Sequence, residues 1–315
     1  MTKGARTTRA TAAGALPLLL IFALALASPA APAKRRAAHG GVSFTYDASL
    51  ASGVKGEAAP AGGCGKPGDV TPAHLAFTLA DYPKPHASPF MQPPEIRVFP
   101  VAEYRRALAA CEREMAATIE GGSAPLSYVS DFDDTVRTLK ALNAERPAPR
   151  LLRAWLRARR GRDFLKGELP FVPAYDVHEA LRAKVSYLDF RGGRGVAFVA
   201  QYMFEVTLVS NQALAYVFQG LTDGGEYYVS AAFPVAAPFL PDDYSAEEAE
   251  RRGLNQTVLT GTKLGRRYRN YLAENTRRLE ALAPGGYRPG LDYLDELLRS
   301  LDVSPAAVKS YLGTK

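Results

Sequence analysis

The stretch from Ala183 to Ala236 constrains this chain most. AKVSYLDF and GVAFVAQYMF flank Arg191-Gly192-Gly193-Arg194, and ALAYVFQGL and EYYVSAAFPV flank Thr222-Asp223-Gly224-Gly225. Alternating segments on either side of a glycine-rich turn are the signature of a β-hairpin, because glycine enters positive-φ turn positions without a Cβ clash. Only a short connection around Ser210-Asn211-Gln212 separates the two hairpins. A four-stranded antiparallel meander is therefore expected. Its apolar face cannot stay in water, so helices or a second sheet must cover it.

The flanking sequence supplies the cover. Val42, Phe44 and Tyr46 alternate, as do Leu75, Phe77 and Leu79, and Glu95 to Phe99 is a third strand candidate. Residues 51–73, rich in Gly, Ala and Pro, read as an irregular connection. From Ala102 the period changes: Tyr104, Leu108, Cys111 and Met115 recur every three or four residues, as one apolar helix face requires. Further helices are expected over 131–145, around Trp155, within 264–282, over 289–301 and over 302–312. The last has Ser304 at its N-cap and Pro305 in its first turn. Ser245 with Glu248 reads as a capping box, and His178 as the start of a short helical piece. The class is α+β. GxxxxGKT does not occur, and strands do not alternate with crossover helices, which disfavours a doubly wound nucleotide-binding sheet.

The N-terminus has a targeting pattern. Lys3, Arg6 and Arg9 precede ALPLLLIFALALA, 13 uncharged residues at 15–27, and then the small residues SPAAPA. That is the three-part signal-peptide pattern, and the apolar core is short of the roughly 20 residues a membrane span needs. The expected division is a signal peptide over 1–33, a flexible arm over 34–41 and one domain over 42–315, with no transmembrane segment after cleavage. The protein is expected to be exported, periplasmic or extracellular. Removing the three basic residues of the signal lowers the net charge from +7 to +4. That is mild for this length and suggests no nucleic-acid partner. Arg146, Arg150, Arg153, Arg157, Arg159, Arg160, Arg162 and Lys166 do form a local basic run. Such a patch suits phosphate or anionic lipid, or else is a solvated helix face. Cys64 and Cys111 are the only two cysteines. In an oxidising compartment they are a candidate disulfide.

Ser130-Asp131-Phe132-Asp133-Asp134-Thr135 has two readings. It resembles the DxDxT loop of haloacid-dehalogenase-type phosphatases, and SDFDDT is similar to the SDIDDT of a phosphatidate-phosphatase branch. The resemblance implies Asp131 as nucleophile, Asp133 as general acid/base, Thr135 orienting phosphate, and Mg²⁺ offsetting the negative charge. It covers about seven residues. The structural reading makes Ser130 an N-cap with Asp133 at the third helical position, and places three acids where the helix dipole favours them. Phe132, Val136, Leu139 and Leu142 then trace an apolar face, so the helix reading explains more residues. No HExxH or GxSxG pattern is present, and no metal site is expected. For ligand binding the candidates are Tyr202, Tyr216 and Tyr228 in the sheet block, with Asn211 and Asp223 in its loops.

VSFTYDASLA at 42–51, PEIRVFPVAEY at 94–104, FVPAYDVHEALRAKVSYLDFRGGRGVAFVAQY at 171–202 and QALAYVFQGLTDGGEYYVSAAFPV at 212–235 together resemble a family of exported bacterial proteins, often lipoproteins, with no assigned biochemical activity. The acylated cysteine of lipoprotein members is missing here. The resemblance implies an antiparallel sheet covered by helices, loosely similar to PsbP/Mog1-like folds, and carries no catalytic residues. The expected function is an exported envelope-associated or extracellular binding or structural protein, with an envelope protein, glycan or small ligand as partner and no cofactor. The alternative is a Mg²⁺-dependent phosphomonoester hydrolase.

Overall fold

The computed structural model describes residues 33–64, 70–83, 93–118, 128–158, 168–169, 178–203, 207–243 and 266–313. Seven strands lie side by side in the order β3 (Gly53–Ala59), β4 (His74–Ala80), β5 (Glu95–Pro100), β9 (Tyr227–Pro234), β8 (Leu214–Thr222), β7 (Gly193–Met203) and β6 (His178–Phe190). All neighbours are antiparallel. β6 to β9 follow one another as consecutive neighbours, as the glycine-rich turns require. A smaller sheet contains β1 (Lys34–His39), β2 (Val42–Asp47) and the two-residue β10 (Asp302–Val303). The helices are α1 (Val101–Thr118), α2 (Tyr128–Glu145), α3 (Leu152–Ala158), α4 (Arg266–Ala281), α5 (Leu291–Arg299) and α6 (Pro305–Leu312). Among the described residues, no helix is long and apolar enough to cross a membrane.

The large sheet is covered on both faces. Along β8 all nine residues are buried. Leu214, Tyr216 and Phe218 join one core with Phe44, Phe77, Leu294, Leu297 and Val308, beneath the small sheet and the C-terminal helices. Ala215, Val217 and Leu221 point the other way, into a second core with Tyr104, Cys111, Phe132, Leu139 and Leu152, beneath α1, α2 and α3. Alternation thus distributes side chains between two dry layers. Each large apolar side chain so buried contributes roughly 1.5–3 kcal/mol. Gly195 lies opposite Gly220 on neighbouring strands. A Cβ on Gly195 would stand 2.3 Å from the Gln219 carbonyl oxygen and 2.7 Å from the Phe218 ring, so the missing side chain makes room for that ring.

Four sequence expectations need correction. Residues 34–39 are a strand, not a flexible arm. They pair with β2 from Lys34↔Asp47 to His39↔Val42. The turn residues Gly40 and Gly41 have φ of +56° and +88°, the sign a two-residue hairpin turn demands at both positions. The irregular 51–73 connection contains β3, an edge strand whose side chains are largely open to solvent. With one flank wet, no apolar alternation marks it. His178 opens β6 rather than a helical piece. Finally α2 begins at Tyr128, so Ser130 lies inside its first turn and does not cap it. The Val129 N–H instead donates to Glu112 Oε1 of α1 at 2.9 Å. A neighbouring helix meets the need that the local capping box was expected to meet. Ser245 and Glu248 lie outside the described residues. Ser304 does hold the N-cap position of α6, with Pro305 in the first turn, though without a side-chain capping bond.

Candidate ligand-binding site

The acidic segment is built into α2. Asp131 and Asp133 are two residues apart on a helix, so their side chains leave the axis in different directions. Asp133 accepts from Arg105 Nε of α1 at 3.0–3.1 Å. Asp134 pairs with Arg137 at 2.6 Å. Thr135 is buried, and its hydroxyl donates to the Asp131 carbonyl at 2.8 Å. Phe132 packs on Tyr104, with ring centroids 4.8 Å apart. The proposed nucleophile, acid/base and phosphate-orienting hydroxyl therefore do not converge on one point. Among the described residues, no group of three or more His, Cys, Asp or Glu side chains is placed to hold a metal ion.

The tyrosine candidates do not share a surface. Tyr216 is buried in the core beneath α5, where its hydroxyl bonds Asp295 Oδ1. Tyr228 is buried on the opposite face and donates to Gln219 Oε1 at 3.0 Å. Tyr202 packs at the end of β7 on the Tyr228 side, where burial pushes its hydroxyl well above the ordinary value. Asn211 is buried and structural. Its Oδ1 accepts from the Ala237 N–H at 2.9 Å, and its Nδ2 donates to the Leu240 carbonyl at 3.2 Å. Asp223 lies in the exposed β8–β9 turn, where its carboxylate is 3.6 Å from Arg194. Four of the five are held by packing or internal bonds, on different layers.

Cys64 and Cys111 are free thiols, not a disulfide. They nonetheless meet. The interaction with Cys111, followed by burial, pushes the Cys64 thiol up to about 12. The sequence pairing thus identified neighbours, but the bond between them is absent.

One open cleft among the described residues lies at the outer edge of β6. Pro149, Arg150 and Arg153 wall it on one side, and α4 on the other. Ala180, Leu181, Arg182 and Val185 of β6 lie between, and the cleft has a volume of about 730 Å³. Helical spacing makes the second wall: Tyr268, Asn275 and Leu279 face the core, which leaves Arg269, Ala273, Thr276 and Glu280 on the cleft side. Tyr268 anchors α4 through a 2.7 Å bond from its hydroxyl to the Thr207 carbonyl. Lys184, at φ +56°, ties β6 to the end of α4. Its N–H donates to Glu280 Oε1 at 2.9 Å, and its ammonium to the Glu280 carbonyl at 2.7 Å. A cation there also suits the negative end of the helix dipole.

Beneath the cleft sits a buried ion pair. Arg182 Nη2 donates to both Glu179 carboxylate oxygens, at 2.7 and 2.8 Å, and Nε adds a bond at 3.1 Å. The side chains are 7% and 0% exposed. Burial raises the Glu179 carboxyl above its ordinary value, while Arg182, the Leu169 N–H and Arg153 act against that rise. Desolvation outweighs the attraction. The sequence reading found the basic run containing Arg150 and Arg153 but not its partner wall. Arginines at 269 and 277 on the non-core face of α4 were the available signal.

Comparison with known proteins returned no matching family model, no matching curated protein and no matching solved structure.

Proposed function

We propose that this is an exported, non-enzymatic binding protein that holds its ligand in the cleft beside β6. The cleft itself carries the reading. It is concave, of a volume usual for small-ligand sites, and combines an apolar floor with a few charged groups at its walls. The tyrosine-face version of this function is replaced, because those side chains are committed to two separate cores. Phosphomonoester hydrolysis has no comparable support, since Asp131 and Asp133 diverge on α2 and Asp133 is already paired with Arg105. Export rests on the sequence pattern of residues 1–33.

Blocking the cleft tests the reading. Ala273 is solvent-exposed on α4, so Ala273→Trp fills the space without touching the core. A panel of charged and neutral small molecules is screened by ligand-observed NMR against both proteins. Compounds that bind the wild type should lose binding to the variant. Equal binding to both proteins, or no binder among the panel, refutes the assignment. Asp131→Asn, assayed on p-nitrophenyl phosphate with Mg²⁺, separates the hydrolase reading: activity that falls with the substitution would restore it.

A further inference from the structure

We propose that Cys64, Cys111 and Met115 form a binding site for a soft monovalent metal ion, Cu(I), beside α1. The inference is independent of the cleft at β6. Cys111 and Met115 stand one turn apart on α1, and the Cys111 thiol donates to the Met115 sulfur at 3.9 Å. Cys64 comes from the connection between β3 and β4. That connection is tied down two residues earlier, where the Gly62 N–H donates to the Thr71 carbonyl at 2.9 Å. It lays Cys64 against the core that contains Cys111, and a hydrogen bond links the two thiols. Three sulfurs from two separate parts of the chain thus meet around Cys111. Cys111 is fully buried, while Cys64 and Met115 are half-buried, which gives an ion a route from solvent.

The ligand set selects the ion. Thiolate and thioether sulfur prefer soft ions such as Cu(I), whereas Mg²⁺ and Ca²⁺ take oxygen. Zn²⁺ also accepts thiolate but is held by four ligands in structural sites. Glu114 approaches the Cys64 thiol, yet among the described residues no three His, Cys, Asp or Glu side chains are placed to hold a metal ion. The third ligand at hand is therefore a thioether, which suits Cu(I) better than Zn²⁺. The spacing also fits. With metal–sulfur bonds of about 2.3 Å, two sulfurs 3.9 Å apart share one ion at an angle of roughly 116°, close to trigonal. Binding forms two copper–thiolate bonds and breaks two S–H bonds, whose protons pass to solvent. Met115 adds a neutral lone pair. Copper stays Cu(I), and no electron is transferred.

The test uses residues 32–315, which form one compact unit, reduced and kept under argon. Cu(I) is offered in competition with bathocuproine disulfonate, whose coloured copper complex reports the metal that the protein does not take. The protein should withdraw one Cu(I) per chain from the dye. Cys64→Ser should abolish the withdrawal. Met115→Leu, close in volume, should weaken it about tenfold. Both positions are half-buried, so the Tm of each metal-free variant should match the wild type. X-ray absorption at the copper edge should show a sulfur shell that loses one scatterer in Met115→Leu. Linking Cys64 to Cys111 with diamide should abolish uptake, and reduction should restore it. The proposal is overturned if the reduced protein withdraws no copper, if either variant withdraws it like the wild type, or if Zn²⁺ at equal concentration displaces Cu(I). Copper retained by protein whose mass shows the disulfide also overturns it.

Discussion

Arg182→Met would strip the counter-charge from a carboxylate that water does not reach. Glu179 has no exposed side-chain surface, and three of its hydrogen bonds come from the one guanidinium. What remains is the Leu169 N–H at 3.3 Å and the more distant charge of Arg153. Breaking a buried pair from one side costs about 3–5 kcal/mol, because the remaining ion is left uncompensated. Near 2 °C of Tm per kcal/mol for a chain of this size, that is roughly 6–10 °C. The loss should depend on pH with a definite sign. Glu179 has a folded-state pKa above its unfolded value, so its contribution is fully present below the unfolded value near 4.5 and is lost as pH rises through the folded value. Removing Arg182 raises the folded value further. Urea unfolding at pH 8 should therefore show the full deficit, and at pH 4.5 a much smaller one. Glu179→Gln combined with Arg182→Met should recover most of the stability at pH 8, since no buried charge remains. An equal deficit at both pH values, or no recovery in the double variant, would refute the claim that desolvation dominates this pair.

Three other outcomes follow from the packing. Gly195→Ala should lower stability by more than about 2 kcal/mol, because its Cβ would collide with backbone at 2.3 Å as well as with Phe218; urea unfolding measures it. Tyr216→Phe should cost about 1–3 kcal/mol at pH 7 by removing the phenol donor from Asp295. Burial already raises that carboxyl, so the deficit should shrink as acid protonates it, and an unfolding series against pH checks the slope. Mild oxidation with diamide should link Cys64 to Cys111, seen as a 2 Da mass loss. Closing a loop of roughly 47 residues should then add up to about 4 kcal/mol. Two thiols still titratable after oxidation would show that they cannot reach bonding geometry.

Much of the scaffold was legible because its cause is local. The glycine turns at 191–194 and 222–225 marked two hairpins, and three-to-four spacing marked α1 and α5. Where the local signal is absent, reading failed. β3 has one wet flank and little apolar alternation, and the charges of Lys34-Arg35-Arg36 obscured β1 although Gly40-Gly41 carried the hairpin signal. Ser130 was read as the cap of α2 but lies inside the helix, where the Val129 N–H bonds Glu112 on another helix. Candidate sites fared worse. The parity of Tyr216 and Tyr228 along their strands could be counted, but their separation onto opposite faces depends on the β8–β9 register.

By itself, then, the sequence determined the antiparallel meander and the helices that cover it. These follow from periodicity, glycine chemistry and the need to bury apolar faces, all of which act within some twenty residues. Only the tertiary structure decided that both sheet faces are covered and that a cleft opens at the edge of β6. It also brought Arg150 and Arg153 opposite Arg269 and Arg277, more than a hundred residues away in the chain. No local rule relates those two walls. Their meeting is a consequence of α3 and α4 packing on opposite faces of one sheet, where the last strand has no further neighbour among the described residues.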